Sequence, residues 1–191
     1  AGLPGFTVSS MFGIAAPARP FEMLGFLLTS TYRTVDGRAE VHLYGKLESG
    51  EPCLLIDDRV EAYFYIPAQY AAAAAKWLPE LRIVETELHD MAGEPVARVA
   101  ARNPAEIPAL RKRLEARNVP CFEADVRFAQ RYLIDRGIRG AFEVHGHSSQ
   151  HARLGRVLRN PEIEPARWLP DLKVLSIDIE TDLGGHAVFA I

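Results

Sequence analysis

Alternating polar and apolar residues dominate the first third of the chain and predict β-strands. Residues 35–38 form a turn sequence with Asp36 and Gly37 at its centre. Asp-Gly between two strand patterns is typical of a tight β-hairpin. The predicted strands are residues 24–33, 40–47, 53–56 and 62–66. Four strands in roughly 45 residues predict an antiparallel sheet.

The next stretch predicts a helix and then a small strand–helix–strand unit. Pro67 opens the first helix, the alanine run 71–75 favours it, and Pro79 ends it. A short apolar strand follows over residues 96–100, and the chain returns as a strand over residues 119–122. These two strands flank a second helix, so the unit has the order strand, helix, strand.

The helix within this unit has its own start and stop signals. Asn103 is a favourable N-cap, Pro104 suits the first helical position, and Glu106 completes an Asn-x-x-Glu capping box. Asn118 is expected to stop the helix. The apolar face is predicted to consist of Ile107, Leu110 and Leu114. Basic residues cover the rest of the helix surface: Arg111, Lys112, Arg113 and Arg117.

The last third predicts a helix over residues 128–135, a second hairpin, a linker and two more strands. The hairpin is expected to join residues 140–144 to residues 153–158. Three prolines between residues 160 and 170 predict an extended linker. The final strands are predicted over residues 172–181 and 186–191. The fold class is therefore α+β.

Composition indicates a globular protein, because 48% of the 191 residues are hydrophobic and 25% are charged. The length suits one domain, or one domain and part of a second. Two cysteines, Cys53 and Cys121, are too few for a disulfide framework and indicate reduced thiols. No run of 18 apolar residues occurs, which argues against a membrane span. Residues 1–20 lack the basic start of a signal peptide and are interpreted as a flexible arm.

The net charge of −3 hides an uneven distribution. Residues 98–159 carry 13 basic and 6 acidic side chains, and all but one of the basic residues are arginine. Arginine's planar guanidinium matches phosphate oxygens, so this basic third is a candidate surface for a nucleic-acid backbone. The alternative is a solvated face whose arginines pair with acidic neighbours.

Asp178 and Glu180 are the strongest candidates for chemistry. Residues two apart on a strand point to the same face, so both carboxylates would project together from the end of strand 172–181. Crowded carboxylates repel unless a cation lies between them, and a hard divalent cation suits their oxygen atoms. The alternative is a strand end with two solvated acids. Asp178 and Glu180 alone do not decide between a metal site and a solvated strand end.

Two other patterns carry less weight. His145, His147 and His151 could supply three zinc ligands, but two of them flank a glycine and no carboxylate or thiol lies at a usual spacing. A zinc site is therefore not favoured. The aromatic run 63–65 alternates faces, so base stacking is conceivable while core packing is favoured.

Three segments resemble the family B DNA polymerases. The run 174–181, Val-Leu-Ser-Ile-Asp-Ile-Glu-Thr, resembles their first exonuclease motif, Asp-x-Glu. Residues 122–127, followed by residues 131–133, resemble the segment that precedes this motif. Residues 63–67 resemble the aromatic strand of their N-terminal domain. In this order the segments are most similar to bacterial members, and the resemblance covers residues 24–191.

The resemblance implies a polymerase N-terminal domain over residues 21–165 and the start of a ribonuclease H-like 3′–5′ exonuclease over residues 166–191. Asp178 matches the aspartate that bridges two metal ions, Mg²⁺ or Mn²⁺. Glu180 matches the glutamate that helps hold one ion and orient the attacking water. The other ligands and the polymerase aspartates lie later in this family. Because the chain ends within an apolar strand, we expect a truncated chain that is inactive alone.

The expected function is that of the N-terminal part of a DNA-directed DNA polymerase, a nucleotidyltransferase with 3′–5′ proofreading, acting in DNA replication and repair. The expected partners are template and primer DNA, the rest of the polymerase chain, and a sliding clamp that binds a later part of the chain. The expected location is the cytoplasm, at the bacterial nucleoid.

This part of the chain would scaffold the enzyme and guide single-stranded template DNA. The residues expected to contact DNA are Arg111, Lys112, Arg113, Arg117, Arg127 and Arg131. The alternative function is a stand-alone, non-enzymatic nucleic-acid-binding module. In that case Asp178 and Glu180 are only a polar strand end.

Overall fold

The computed structural model describes residues 21–185 and 187–190. The expected arm at residues 1–20, and His186 and Ile191 of the last predicted strand, lie outside the described residues. The strands are β1 (Phe21–Val35), β2 (Arg38–Leu47), β3 (Pro52–Asp57), β4 (Ala62–Pro67), β5 (Arg82–His89), β6 (Pro95–Ala101), β7 (Ala141–Gly146), β8 (Ser148–His151), β9 (Gly155–Arg159), β10 (Glu162–Pro165), β11 (Glu180–Thr181) and β12 (Val188–Ala190). The helices are α1 (Ala71–Trp77), α2 (Ile107–Glu115) and α3 (Phe128–Asp135). No helix within the described ranges has the length and apolar character needed to span a bilayer.

The predicted first hairpin is confirmed and consists of β1 and β2. The register pairs Val35 with Arg38, which leaves a two-residue turn. Asp36 and Gly37 in that turn both have positive φ, at 49° and 77°. A turn with this geometry matches the right-handed twist of its flanking strands, and Asp-Gly adopts it at little cost.

Seven strands form the larger sheet, in the order β10-β7-β1-β2-β3-β9-β8. Its neighbouring strands are antiparallel except for β3 and β9, which run parallel. β4 lies in a second, antiparallel sheet of order β4-β6-β5, whose edge strand β5 was not predicted. The prediction that the first four strands share one sheet is therefore wrong for β4. The reason is that β9 occupies the edge of β3, while pairing with β6 buries Phe64 and Ile66 completely.

The predictions of a second hairpin and of an extended linker are also wrong in part. β7 pairs with β1 and β10, and β9 pairs instead with β8, which lies in the predicted loop. The pairing of β7 with β1 depends on a close approach, because the ring of Phe142 lies across Gly25. A Cβ at Gly25 would lie 2.5 Å from Phe142 Cζ. The predicted linker over residues 160–170 contains the edge strand β10.

The first strand and the helix of the predicted strand–helix–strand unit are present. Its second strand is replaced by a single backbone bridge. β6 and α2 are present, and Asn103 Oδ1 accepts a hydrogen bond of 3.0 Å from the backbone N–H of Ala105. Residues 119–122 do not form the predicted strand, and only Phe122 pairs with Tyr65. Pro120 contributes to this outcome, since it has no backbone N–H to donate to a neighbouring strand.

Both sheets and all three helices contribute to one hydrophobic core. α2 buries the predicted face and ends at Glu115, and the turn that follows it stops at Asn118, whose φ of 57° is left-handed. The largest fully buried side chains are Phe64, Phe142, Leu43, Leu47, Leu55, Ile66, Leu78, Leu114 and Leu158. The α+β class is therefore confirmed, with a mixed main sheet.

The segment after β10 has little regular structure. Residues 166–179 contain no helix or strand, and β11 and β12 form a two-stranded hairpin. The predicted strand 172–181 is thus wrong over residues 172–179. Its apolar side chains are between 36% and 85% exposed: Leu172, Val174, Leu175, Ile177 and Ile179. A strand needs a neighbour to accept its backbone hydrogen bonds, and no described strand lies beside residues 172–179.

Replacing Gly155 with alanine is expected to destabilise the fold by about 1–3 kcal/mol. Gly155 begins β9 with a φ of +67°, and a Cβ there would lie 2.2 Å from the carbonyl oxygen of Pro52. Gly37→Ala is the matched control, because Gly37 also has positive φ but no atom within 4 Å of the added Cβ. Urea unfolding of both variants measures the difference. Equal losses would mean that the contact with Pro52 is unimportant.

Candidate nucleic-acid interface and carboxylate pair

The basic side chains of α2 lie on its exposed side, and two of them pair with acids. Arg111 Nε donates to Glu115 Oε1 at 2.7 Å, and Arg113 Nη1 donates to Glu80 Oε1 at 2.6 Å. Lys112 is exposed and makes no ion pair with a described residue. Exposed pairs of this kind contribute little stability, so phosphate oxygens can replace the carboxylates at small cost.

Arg117 extends the basic side of α2 toward Trp77. Its guanidinium lies 5.5 Å from the centre of the Trp77 ring, and its Nη1 donates to the backbone carbonyl of Arg113 at 3.0 Å. The Trp77 side chain is 39% exposed. An exposed arginine beside an exposed aromatic ring offers both a phosphate contact and a stacking surface for a base.

Arg127 and Arg131 differ in their exposure to solvent. Arg127 is exposed and immediately precedes α3. Arg131 is buried, and its Nη2 lies 2.6 Å from Glu123 Oε2. Its guanidinium also lies 5.0 Å from the centre of the Tyr63 ring. The placement of Arg131 therefore suits holding Tyr63 in position better than direct contact with a DNA backbone.

Tyr63 is the centre of an aromatic and arginine cluster that the sequence pattern only partly indicated. Arg98 lies over the same ring at 4.8 Å, and the ring of Tyr65 meets it edge-on at 5.5 Å. The Tyr63 hydroxyl donates to Asp135 Oδ1 at 2.7 Å. The run 63–65 alternates faces as predicted, and the structure shows which face is which: Phe64 points into the core and the two tyrosines are half-buried.

A cleft of about 360 Å³ opens beside Tyr63, between α2, α3 and β1. Tyr32 and Phe128 meet edge-on at 5.6 Å in its wall. Its lining also includes Ile107, Pro104, Pro108, Val126, Arg127 and Arg131. Sequence reasoning missed this cleft, because its walls come from segments 30–32, 62–63, 104–108 and 124–131. The signals for it in the sequence were the aromatic run 63–65 and the candidate DNA contacts Arg127 and Arg131.

A second cluster, around Asp57, fixes α3 against the end of β3. Asp57 is 2% exposed, and its carboxylate accepts hydrogen bonds from Arg59 Nε at 3.0 Å and from the Tyr132 hydroxyl at 2.9 Å. Arg136 Nη2 lies 3.5 Å from the same carboxylate. Burial by itself raises the pKa of Asp57, but the hydrogen bonds from Arg59 and Tyr132 outweigh it and hold the pKa below its ordinary value. Asp57 therefore stays ionised at neutral pH.

Asp178 and Glu180 are both exposed, and the strand expected to align them is absent at Asp178. Asp178 Oδ1 accepts a hydrogen bond of 3.0 Å from the N–H of Ile179, and Glu180 opens β11. Within the described ranges, neither belongs to a group of three converging metal-ligating side chains. The two carboxylates have the oxygen donors that Mg²⁺ and Mn²⁺ prefer. They would fill only part of a six-oxygen shell, so the described residues supply at most part of such a site.

The two cysteines are not candidates for nucleophiles. Burial raises the pKa of Cys53 to about 12 and that of Cys121 to about 11. Both thiols are therefore protonated at neutral pH, and only the thiolate is strongly nucleophilic.

The known proteins that are similar to this chain in sequence are DNA polymerases. The chain is 30% identical over 166 residues to DNA polymerase II from Escherichia coli K12, covering 85% of this chain and 20% of that protein. It is 29% identical over 170 residues to a DNA polymerase from Archaeoglobus fulgidus, covering 82% of this chain and 21% of the relative. The chain spans about a fifth of the length of these relatives. No protein-family model matches the chain.

Among solved structures, the fold is similar to that of the family B DNA polymerase from the hyperthermophilic archaeon Pyrobaculum calidifontis. The TM-score is 0.64 at 27% sequence identity, covering 83% of this chain and 22% of that structure. The similarity in fold therefore extends over the same large share of the chain as the similarity in sequence.

Proposed function

The chain is homologous to a segment of the family B DNA polymerases, as its motifs predicted, and on this premise we propose that it is the N-terminal part of a DNA-directed DNA polymerase. The observation that carries the proposal is the similarity over 85% of the chain to DNA polymerase II. The parent enzyme would act in DNA replication and repair, in the cytoplasm at the nucleoid. Its partners would be template and primer DNA, the later parts of its own chain and a sliding clamp.

Within this proposal, residues 21–165 form the N-terminal domain and residues 166–191 begin a ribonuclease H-like 3′–5′ exonuclease. The single core formed by elements β1 to β10 supports the first boundary. The exposed apolar side chains of segment 172–179 support the second, because later strands of an exonuclease sheet would cover them. Asp178 and Glu180 would then contribute two of the carboxylates for Mg²⁺ or Mn²⁺.

The proposed role of residues 21–165 is to scaffold the enzyme and guide single-stranded template DNA. The exposed side of α2 supplies positive charge, and the cleft beside Tyr63 supplies aromatic surface with Arg127 at its edge. Charge that follows a phosphate backbone, combined with rings on which bases stack, is the usual basis of sequence-tolerant single-strand binding. Arg131 would act by positioning Tyr63.

Single-stranded DNA is expected to bind this chain with an affinity that falls steeply as salt rises. Each neutralised phosphate releases counterions, which gives a logarithmic slope of roughly −0.7 per phosphate. Reversing Arg111, Lys112 and Arg113 together to glutamate should abolish binding. The fold should survive, because these positions lie off the buried face of α2. Fluorescence anisotropy with a labelled oligonucleotide across a salt series measures the effect.

The matched control reverses three exposed basic residues elsewhere, Arg139, Arg153 and Lys173. It changes the net charge by the same amount but leaves α2 intact, so its affinity should stay near that of the parent chain. Thermal unfolding of both triple variants checks that they fold. Equal affinity for the α2 variant and the parent chain would exclude α2 from the DNA path.

A further inference from the structure

Two carboxylates and an imidazole converge on the outer face of the larger sheet, and none of the three residues lines the cleft beside Tyr63. Glu22 on β1 lies opposite His145 on β7, and Glu143 is two residues before His145 on the same face. The three potential ligand atoms all lie within 4.8 Å of one another. The donor set is thus one nitrogen and two carboxylate oxygens.

The position of these side chains is fixed by backbone pairing on both sides of β7. The register pairs His145 with Glu22 on one side and with Glu162 of β10 on the other. It also places Glu164 opposite Glu143. Ligands held on neighbouring strands are better pre-organised than ligands on a loop, so little ordering is needed when an ion binds.

This face concentrates negative charge without a protein cation to balance it. The register puts four carboxylates around one imidazole, and within residues 21–185 and 187–190 no lysine or arginine forms an ion pair with any of them. Glu22 and Glu143 also line a depression of about 510 Å³ that reaches Glu48. Like charges at this spacing repel, and a bound cation relieves the repulsion.

We propose that Glu22, Glu143 and His145 bind a zinc ion that joins β1 and β7. An imidazole combined with carboxylates suits Zn²⁺, whereas Mg²⁺ prefers oxygen ligands alone. Zinc ligands lie about 2.0–2.2 Å from the ion. The present spacing therefore requires the side chains to converge slightly, which the exposed Glu22 can do by rotation. Water or Glu162 would complete a tetrahedral shell.

Isothermal titration of the tag-free, EDTA-treated full chain with zinc chloride at neutral pH tests this proposal. We expect one zinc per chain, and a higher unfolding temperature in the presence of zinc, because a ligand that binds only the folded state stabilises it. His145→Gln and Glu143→Gln should each weaken zinc binding at least about tenfold. Both positions are partly exposed, and unfolding of the metal-free variants checks that they fold.

The matched controls are His147→Gln and His151→Gln, which remove neighbouring histidines outside the cluster. These variants should bind zinc as the parent chain does. Titration with magnesium chloride should show much weaker binding that His145→Gln leaves unchanged. Zinc binding that survives His145→Gln, or that depends equally on His147 and His151, would overturn the proposal. The result is independent of DNA binding, so it leaves the proposed function untouched.

Discussion

The 191-residue chain is expected to show no detectable hydrolysis of a 3′ single-stranded DNA end in Mg²⁺ or Mn²⁺. Two-metal hydrolysis needs both ions to be fixed by protein ligands on either side of the scissile phosphate. Asp178 and Glu180 are exposed, and no third ligating side chain joins them among the residues that the structure describes. They leave most of the coordination shell of even one ion to water.

Exonuclease activity should appear when the chain is extended through the rest of the proposed exonuclease domain. In that longer protein, Asp178→Ala should lower the rate at least about a thousandfold, since a catalytic metal contributes several kcal/mol to transition-state stabilisation. Asp171→Ala is the control, because Asp171 is an exposed acid of the same segment outside the Asp-x-Glu motif. A gel assay with a 5′-labelled oligonucleotide measures both. Hydrolysis by the 191-residue chain that disappears in Asp178→Ala would contradict the assignment of missing ligands.

Replacing Asp57 with alanine is expected to destabilise the fold by about 2–4 kcal/mol. The change leaves the buried Tyr132 hydroxyl without its acceptor and leaves Arg59 and Arg136 without their shared carboxylate. This loss of stability is smaller than the loss expected on breaking a fully buried ion pair, because the Arg59 side chain is 49% exposed. Asp58→Ala is the matched control and should cost less, about 1 kcal/mol, because its contacts with Arg159 and Asn160 are only partly buried. Equal losses in urea unfolding would contradict the role of Asp57.

The Asp57 contribution should also depend on pH in a defined direction. Its pKa in the folded state lies below the ordinary value of 3.8, so the folded state takes up the proton less readily than the unfolded chain. The contribution is therefore complete above about pH 5 and is lost as the pH falls through the ordinary pKa toward the lower folded value. The stability difference between the parent chain and Asp57→Asn should shrink over that range. A difference that stays constant down to acid unfolding would show that the pKa of Asp57 is not lowered in the folded state.

Local features of this chain could be predicted from sequence because their causes lie within a few residues. Asp36 and Gly37 set the first turn through their tolerance of positive φ. Asn103 caps the start of the helical segment through its side chain, and the left-handed Asn118 closes the turn that follows α2. The Asp-Ile-Glu-Thr run indicated the polymerase family without any tertiary information.

Pairing between strands was decided by contacts far apart in the chain. The pattern of residues 140–144 fits a hairpin with residues 153–158 as well as it fits pairing with β1. The space above Gly25 that accepts Phe142 selects β1. Segment 172–179 has a strong strand pattern and forms no strand, because a strand forms only beside a partner.

For the candidate sites, too, some features could be predicted from the sequence and others required the tertiary structure. Sequence alone determined the fold class, the basic exterior of α2, and Asp178 and Glu180 as the candidate carboxylates. Only the tertiary structure decided that Arg131 is buried against Glu123, and that His145 meets Glu22 and Glu143 instead of the other histidines. A residue type determines what a side chain can bind, whereas strand register and burial determine which groups lie within reach. Those depend on packing between distant parts of the chain.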